Sequence, residues 1–240
     1  MSTSMSVHDG IATVTLDDGK VNALGRDRIS ELQSALRSAN SCRALVLTGR
    51  PGIFTGGLDV RELDALDVAG RAALFVEFGE LLLDMWVTPC PVVCAASGHA
   101  IAAGTLLALA SDHVVAAEGD YRWGMTEAQI GLELSDFSVM FVRNRVAPSQ
   151  VDRLLLQGFV VDPRTAVEVG YAHETAPADA VLPRALKVAE TLSRLPAQAY
   201  ARNKLRLRAE QAQRARENLR GDVARLVATQ VVDAEQEPAT

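Results

Sequence analysis

Glu127 stands in WGMTEAQIGLEL as a carboxylate in an otherwise apolar, glycine-punctuated segment. A carboxyl desolvated by Trp123, Met125, Ile130 and Leu132 holds its proton more tightly than an exposed one, which suits it to moving protons near neutral pH. A glutamate here can equally cap a helix, and the segment alone leaves both readings open. Glu133 and Asp136 lie close by, and Ser135-Asp136 has the composition of a helix start.

Two stretches rich in small residues offer the complementary chemistry, a place to hold negative charge. In FTGGLDV, residues 54–60, the paired glycines follow the apolar run RALVLTG and permit positive φ and close backbone approach to a ligand. SGHAIAAGTLLALASDH, residues 97–113, repeats the theme: a strand ends, small residues follow, and a helix begins whose free N–H groups point into one place. If the two loops converge, one amide from each makes a pair of donors for an oxyanion. Taken singly, either stretch is an ordinary turn. Neither matches a P-loop or a dinucleotide fingerprint. His99, among small residues, is more in keeping with a packed or hydrogen-bonded ring than with a base.

Positioning such loops takes layered elements. IATVTL at 11–16 alternates as a half-buried strand does, and a helical pattern over 26–39 leads to the strand RALVLTG. A helix over 68–86 is closed by Pro89 and Pro91, after which PVVCAA, AAGTLLALAS and HVVAA predict strand, buried helix and strand. This alternation predicts an α/β fold. From Ser135 onward the spacing predicts helices over 137–145, 150–156, 163–169, 178–195 and 198–227, with a boundary at SRLPA. The division is then a core domain over 1–195 and a helical segment over 196–240, whose last residues, DAEQEPAT, are polar enough to fray.

Composition excludes several classes of function. The 240 residues are 48% apolar and 22% charged, without an apolar run long enough for a membrane span. MSTSMSVHDG lacks the pattern of a signal peptide, so a cytoplasmic setting is expected. A net charge of −6 argues against general nucleic-acid binding, and the basic run 202–208 is expected to be a solvated helix face. Cys42, Cys90 and Cys94 form no even framework and no zinc pattern, which leaves buried thiols and no metal.

In this order, FTGGLDVREL, PCPVVCAASGHAIAAGTLLALASDHVVA and TEAQIGLEL resemble the crotonase superfamily, the enoyl-CoA hydratase and isomerase family, over residues 7–177. The resemblance implies a spiral of β-β-α units with a C-terminal helical region that packs in trimers, as a homotrimer or a dimer of trimers. It also implies an acyl-CoA thioester as substrate, with no separate cofactor, its carbonyl lying between two backbone N–H groups. Carried over by position, those donors are Leu58, beside Gly57, and Ala103, beside Gly104. Ala23, Asp59, Val60 and Arg61 correspond to CoA contacts, and Lys204 is the residue offered for the adenine end. Family hydratases carry two glutamates; here the first position is Leu106 and the second is Glu127. The pattern looks closest to the enoyl-CoA Δ-isomerase branch, in which one glutamate shuttles a proton. Two alternatives stand beside it: a hydratase that recruits Glu133, Asp136 or His99, and an acyl-CoA-binding protein without catalysis.

Overall fold

The computed structural model describes residues 3–236. The chain opens with a hairpin of β1 (Thr3–His8) and β2 (Ile11–Leu16), turned at Asp9 and Gly10 with φ of 48° and 73°. Two successive positive φ values give the turn whose twist matches its strands. Then come α1 (Arg26–Ala39), β3 (Ala44–Thr48), β4 (Gly52–Thr55), α2 (Val60–Ala65), α3 (Val68–Val87), β5 (Val92–Ala96), β6 (Gly98–Ile101), α4 (Ala103–Leu109), β7 (His113–Ala117) and β8 (Trp123–Gly124). A helical stretch follows: α5 (Asp136–Arg145), α6 (Val151–Leu155) and α7 (Pro163–Val169), then β9 (Glu174–Ala176), α8 (Val181–Ser193) and α9 (Ala197–Gln236).

Successive units send one strand to each of two sheets. The six-stranded sheet runs β1-β2-β3-β5-β7-β9, and the three-stranded sheet runs β4-β6-β8. The continuous apolar runs ALVLT, VVCAA and HVVAA are explained by cover on both faces of the large sheet. Leu45, Leu47, Cys94 and Val114 pack into the core with α1, α3 and α4, while Val46, Val93, Ala95 and Val115 pack against Val181, Ala185 and Ala189 of α8. Cys90 and Cys94 are buried as expected, whereas Cys42 is only half-buried, and all three thiols are free.

Within the small sheet, β4 and β6 begin with almost no clearance between their backbones. A Cβ added at Gly98 would lie 1.9 Å from the Gly52 carbonyl oxygen, so glycine is the residue that fits. Thr105, fully buried in α4, ties two of the strand ends together: its hydroxyl lies 2.8 Å from the Ala100 carbonyl and 3.1 Å from that of Gly124, and it accepts from the Gly124 N–H at 3.3 Å.

The last helix is part of the same packing. Ala212, Leu219, Val223, Leu226 and Val227 are buried in the core shared with α3. Its start is held by Asp112, which accepts from Lys204 Nζ at 2.7 Å and Arg208 at 2.6 Å, while the Arg208 guanidinium stacks 3.9 Å from the Trp86 ring. The expectation of a solvated basic face is therefore corrected. Arg202 and Arg206 are exposed, but Lys204 is 5% exposed and its ammonium is committed to Asp112, not offered to an adenine. The helix also outruns its expected end at 227, so the start of the DAEQEPAT tail, 233–236, is helical and 237–240 lie outside the described residues. Strands β1, β4, β6, β8 and β9 are additions to the expected set. No helix among the described residues is long and apolar enough to cross a membrane.

Thr105→Val keeps the shape of the side chain and strips the hydroxyl from the β6 and β8 ends. We expect it to lower the unfolding free energy by about 1–3 kcal/mol, read as a lower urea midpoint at unchanged slope. An unchanged midpoint would show that the hydroxyl is not a structural tie.

Candidate active site

The strands of the small sheet are parallel, with Thr55 opposite Ala100 and Ile101 opposite Gly124. Their C-terminal ends therefore lie side by side, and each is followed at once by one of the stretches singled out above. Parallel strands deliver the loops at these ends to a common edge, where ligands of α/β proteins gather.

After β4, Leu24 donates to the Gly57 carbonyl at 2.8 Å and accepts from the Asp59 N–H at 3.2 Å. In such a parallel pairing the intervening residue, Leu58, turns its own N–H the other way. The loop is fixed from beneath by Asn22, fully buried at φ 53°. Its amide reaches the Leu16 and Phe54 carbonyls at 2.9 and 3.1 Å. The Asn22 carbonyl accepts from the Thr55 hydroxyl at 2.7 Å, which in turn accepts from the Gly57 N–H at 3.1 Å. Asp59 spends its carboxylate on capping α2, accepting from the Arg61 and Glu62 N–H groups at 3.0 and 3.3 Å.

After β6, Ala102 takes φ 50° and ψ −116°, a strained setting for a residue with a Cβ, and donates to the Gly124 carbonyl at 2.8 Å. That turn starts α4 at Ala103, whose N–H has no intrahelical acceptor. The two loops touch. A Cβ at Gly57, where φ is 99°, would lie 3.1 Å from the Ile101 carbonyl oxygen and 3.6 Å from Ala103 N; one at Gly104 would lie 2.6 Å from the Thr55 carbonyl oxygen.

After β8, a single 3-10 turn spans Glu127–Ile130 and ends at Gly131 in the left-handed region. Gln129 anchors it by donating to the Gly158 carbonyl at 2.7 Å. Glu127 Oε2 is buried and has no hydrogen-bond partner. Burial raises its carboxyl above the ordinary carboxylate range, opposed by its own backbone N–H.

These loops open on one cavity of about 200 Å³, whose wall includes Leu58, Ala103, Leu106 and Glu127. Leu106, 3% exposed, adds an apolar side chain to that wall. Val60, 63% exposed, is at the rim, whereas Ala23, Gly57, Asp59, Arg61 and Gly104 support or flank the loops outside the lining. Of the other acids and bases considered, Glu133 lines the cavity and the rest do not. Asp136 opens α5 behind the cap Ser135, with its side chain 67% exposed, and His99 accepts from the Arg122 N–H at 3.0 Å and packs edge-on against Tyr121. Three residues that position or close the site drew no functional reading from sequence: Asn22, Thr105 and Leu226. Asn22 had a signal, a lone amide in the turn segment DDGKVNALG. Thr105 is the sole polar side chain between the Gly104 turn and Ser111.

The family model described as enoyl-CoA hydratase/isomerase matches residues 6–239. Mouse mitochondrial enoyl-CoA delta isomerase 1 is 31% identical over 185 residues, 75% of this chain but 64% of that protein's length. A putative enoyl-CoA hydratase of Thermus thermophilus is 33% identical over 191 residues, 77% of this chain and 75% of that one. The crystal structure of human mitochondrial delta3-delta2-enoyl-CoA isomerase superposes with a TM-score of 0.94 at 26% identity, covering 99% of this chain and 95% of that one. A glutamate and two backbone amides brought together by this fold, and a match along nearly the whole chain, agree: the protein belongs to the crotonase superfamily, the enoyl-CoA hydratase/isomerase family.

Proposed function

We propose that the protein is an isomerase of fatty acid metabolism that converts 3-enoyl-CoA to 2-trans-enoyl-CoA. The observation that carries this reading is a single carboxyl, Glu127, whose Oε2 is buried without a hydrogen-bond partner, sharing a cavity with Leu58 and Ala103 while Leu106 occupies the other acid position. The thioester carbonyl sits between the Leu58 and Ala103 N–H groups. Glu127 removes a proton from C2, the electrons of that C–H bond move onto the thioester oxygen, and the amides hold the enolate. The protonated Glu127 then delivers the proton to C4 as the double bond shifts to C2–C3. Each such donor is worth roughly 3 kcal/mol in acyl-transfer enzymes. Leucine at 106 can neither orient nor deprotonate water, which favours proton return over hydration.

One observation supports a second reading. Glu133 lines the same cavity, so it is the residue able to stand in for the missing acid in a hydratase. Hydration of 2-enoyl-CoA by wild type and its loss in Glu133→Gln would establish that activity in place of the first.

Purified enzyme is expected to conjugate 3-enoyl-CoA, followed by absorbance, and Glu127→Gln to lose about 10²–10⁴-fold in kcat with little change in KM. Because the base must be ionised, kcat should rise with pH to a half-maximum above the ordinary 4.5. Conversion by the variant at the wild-type rate would end the mechanism.

The same raised carboxyl makes a prediction for stability. A group whose folded pKa exceeds its unfolded value stabilises most below the unfolded value and loses that contribution as pH rises through the folded one. Relative to wild type, Glu127→Gln should therefore gain in Tm as pH increases above 4.5, measured by thermal melts across pH 4 to 8. A Tm difference that does not vary with pH would place the wild-type carboxyl in solvent.

A further inference from the structure

The cavity has a direction. Its rim carries exposed side chains, Val60 at 63% and Ile130 at 66%, while its far side is closed by Phe78 at 1%, Phe137 at 3% and Leu226 at 4% exposure. Those three come from three helices, α3, α5 and α9, which pack against one another at Gly79. A Cβ added at Gly79 would lie 2.8 Å from Leu219 Cδ1 and 3.3 Å from Phe137 Cε1, so α9 and α5 rest directly on the α3 backbone. The wall is braced on either side. Arg216 of α9 bonds Glu80 and Asp84 of α3 at 2.5 and 2.6 Å, and Asp222 of α9 accepts from the Asp136 N–H at the start of α5 at 2.8 Å.

From this geometry we infer that Leu226, with Phe78 and Phe137, is a specificity-determining stop that ends the acyl channel and confines the enzyme to short and medium enoyl chains. The inference deepens the isomerase reading and rests on it for the reaction, though not for binding. The cavity, about 200 Å³, has to hold the thioester and the reacting carbons as well as the rest of the acyl chain, which leaves room for a short remainder. A longer chain meets side chains packed against three helices. It gains no further burial unless α9 moves, and α9 is held by the ion pairs above.

The test uses the full chain, a ladder of 3-hexenoyl-, 3-octenoyl- and 3-dodecenoyl-CoA, and the variants Leu226→Ala and Leu226→Phe. Wild type should favour the shorter substrates by about tenfold or more in kcat/KM, the discrimination a methylene-sized misfit produces. Leu226→Ala should flatten or reverse that preference, and Leu226→Phe should steepen it. Competition by saturated hexanoyl-, octanoyl- and dodecanoyl-CoA for binding follows the same wall without chemistry. If no enoyl substrate turns over while the binding ladder shifts with residue 226, the isomerase reading fails and the stop stands. If turnover is present and neither ladder responds to Leu226→Ala or Leu226→Phe, the stop is wrong. Should the alanine variant not fold, the phenylalanine variant and Phe137→Leu decide the matter by the same readout.

Discussion

The tight apposition of backbones in the three-stranded sheet is the constraint on which this molecule turns. Gly98 sits so close to Gly52, and Gly104 so close to Thr55, that neither position has room for a methyl group. That closeness brings the ends of β4, β6 and β8 to neighbouring points, which lets the Leu58 amide, the Ala103 amide and the Glu127 carboxyl share a space smaller than many ligand pockets. Preorganised donors are effective because they need not reorganise when charge develops. Under the proposed function, that fixed backbone is built from strand register, with buried hydroxyls and an amide, Thr55, Thr105 and Asn22, closing the remaining backbone valences.

Placing the acid is a separate problem, and the fold solves it with apolar cover. A carboxylate in water is a poor proton shuttle near neutrality because its proton leaves too readily. Glu127 is set on a short turn, backed by Gln129 and Gly158, with one oxygen shut away from solvent and from other donors. The arrangement is costly in stability, since the ionised form is desolvated with its own backbone N–H as an incomplete compensation. Such local cost is common where a group is kept for reaction and not for folding.

Much of this was legible in the chain. Apolar periodicity located α1 and α7 to the residue and α3 nearly so, and the buried runs of the large sheet stood out because both their faces are covered. The small-residue loops and Glu127 were visible as chemistry-bearing types. The second sheet was not, because β4, β6 and β8 are four residues or fewer and lie within glycine-rich segments that read as turns. The Asp9-Gly10 pair between alternating residues was a hairpin signal that passed unused. The role of α9 was also hidden. Its mixture of charge and leucine gives little amphipathic contrast, and a charge-run argument treats Lys204 and Arg208 alike with Arg202, though the partner that turns two of them inward, Asp112, is distant in sequence.

The brace between Asp112 and the start of α9 bears on how the protein comes into being. Leu226 is made long after Leu58, Ala103 and Glu127, and without α9 docked on α3 the deep side of the cavity lacks one of its three closing side chains. A nascent chain that still lacks α9 has Leu58, Ala103 and Glu127 beside a cavity that is incompletely walled. Closure of the cavity is therefore completed by the last helix, whose Lys204 and Arg208 share the one carboxylate of Asp112.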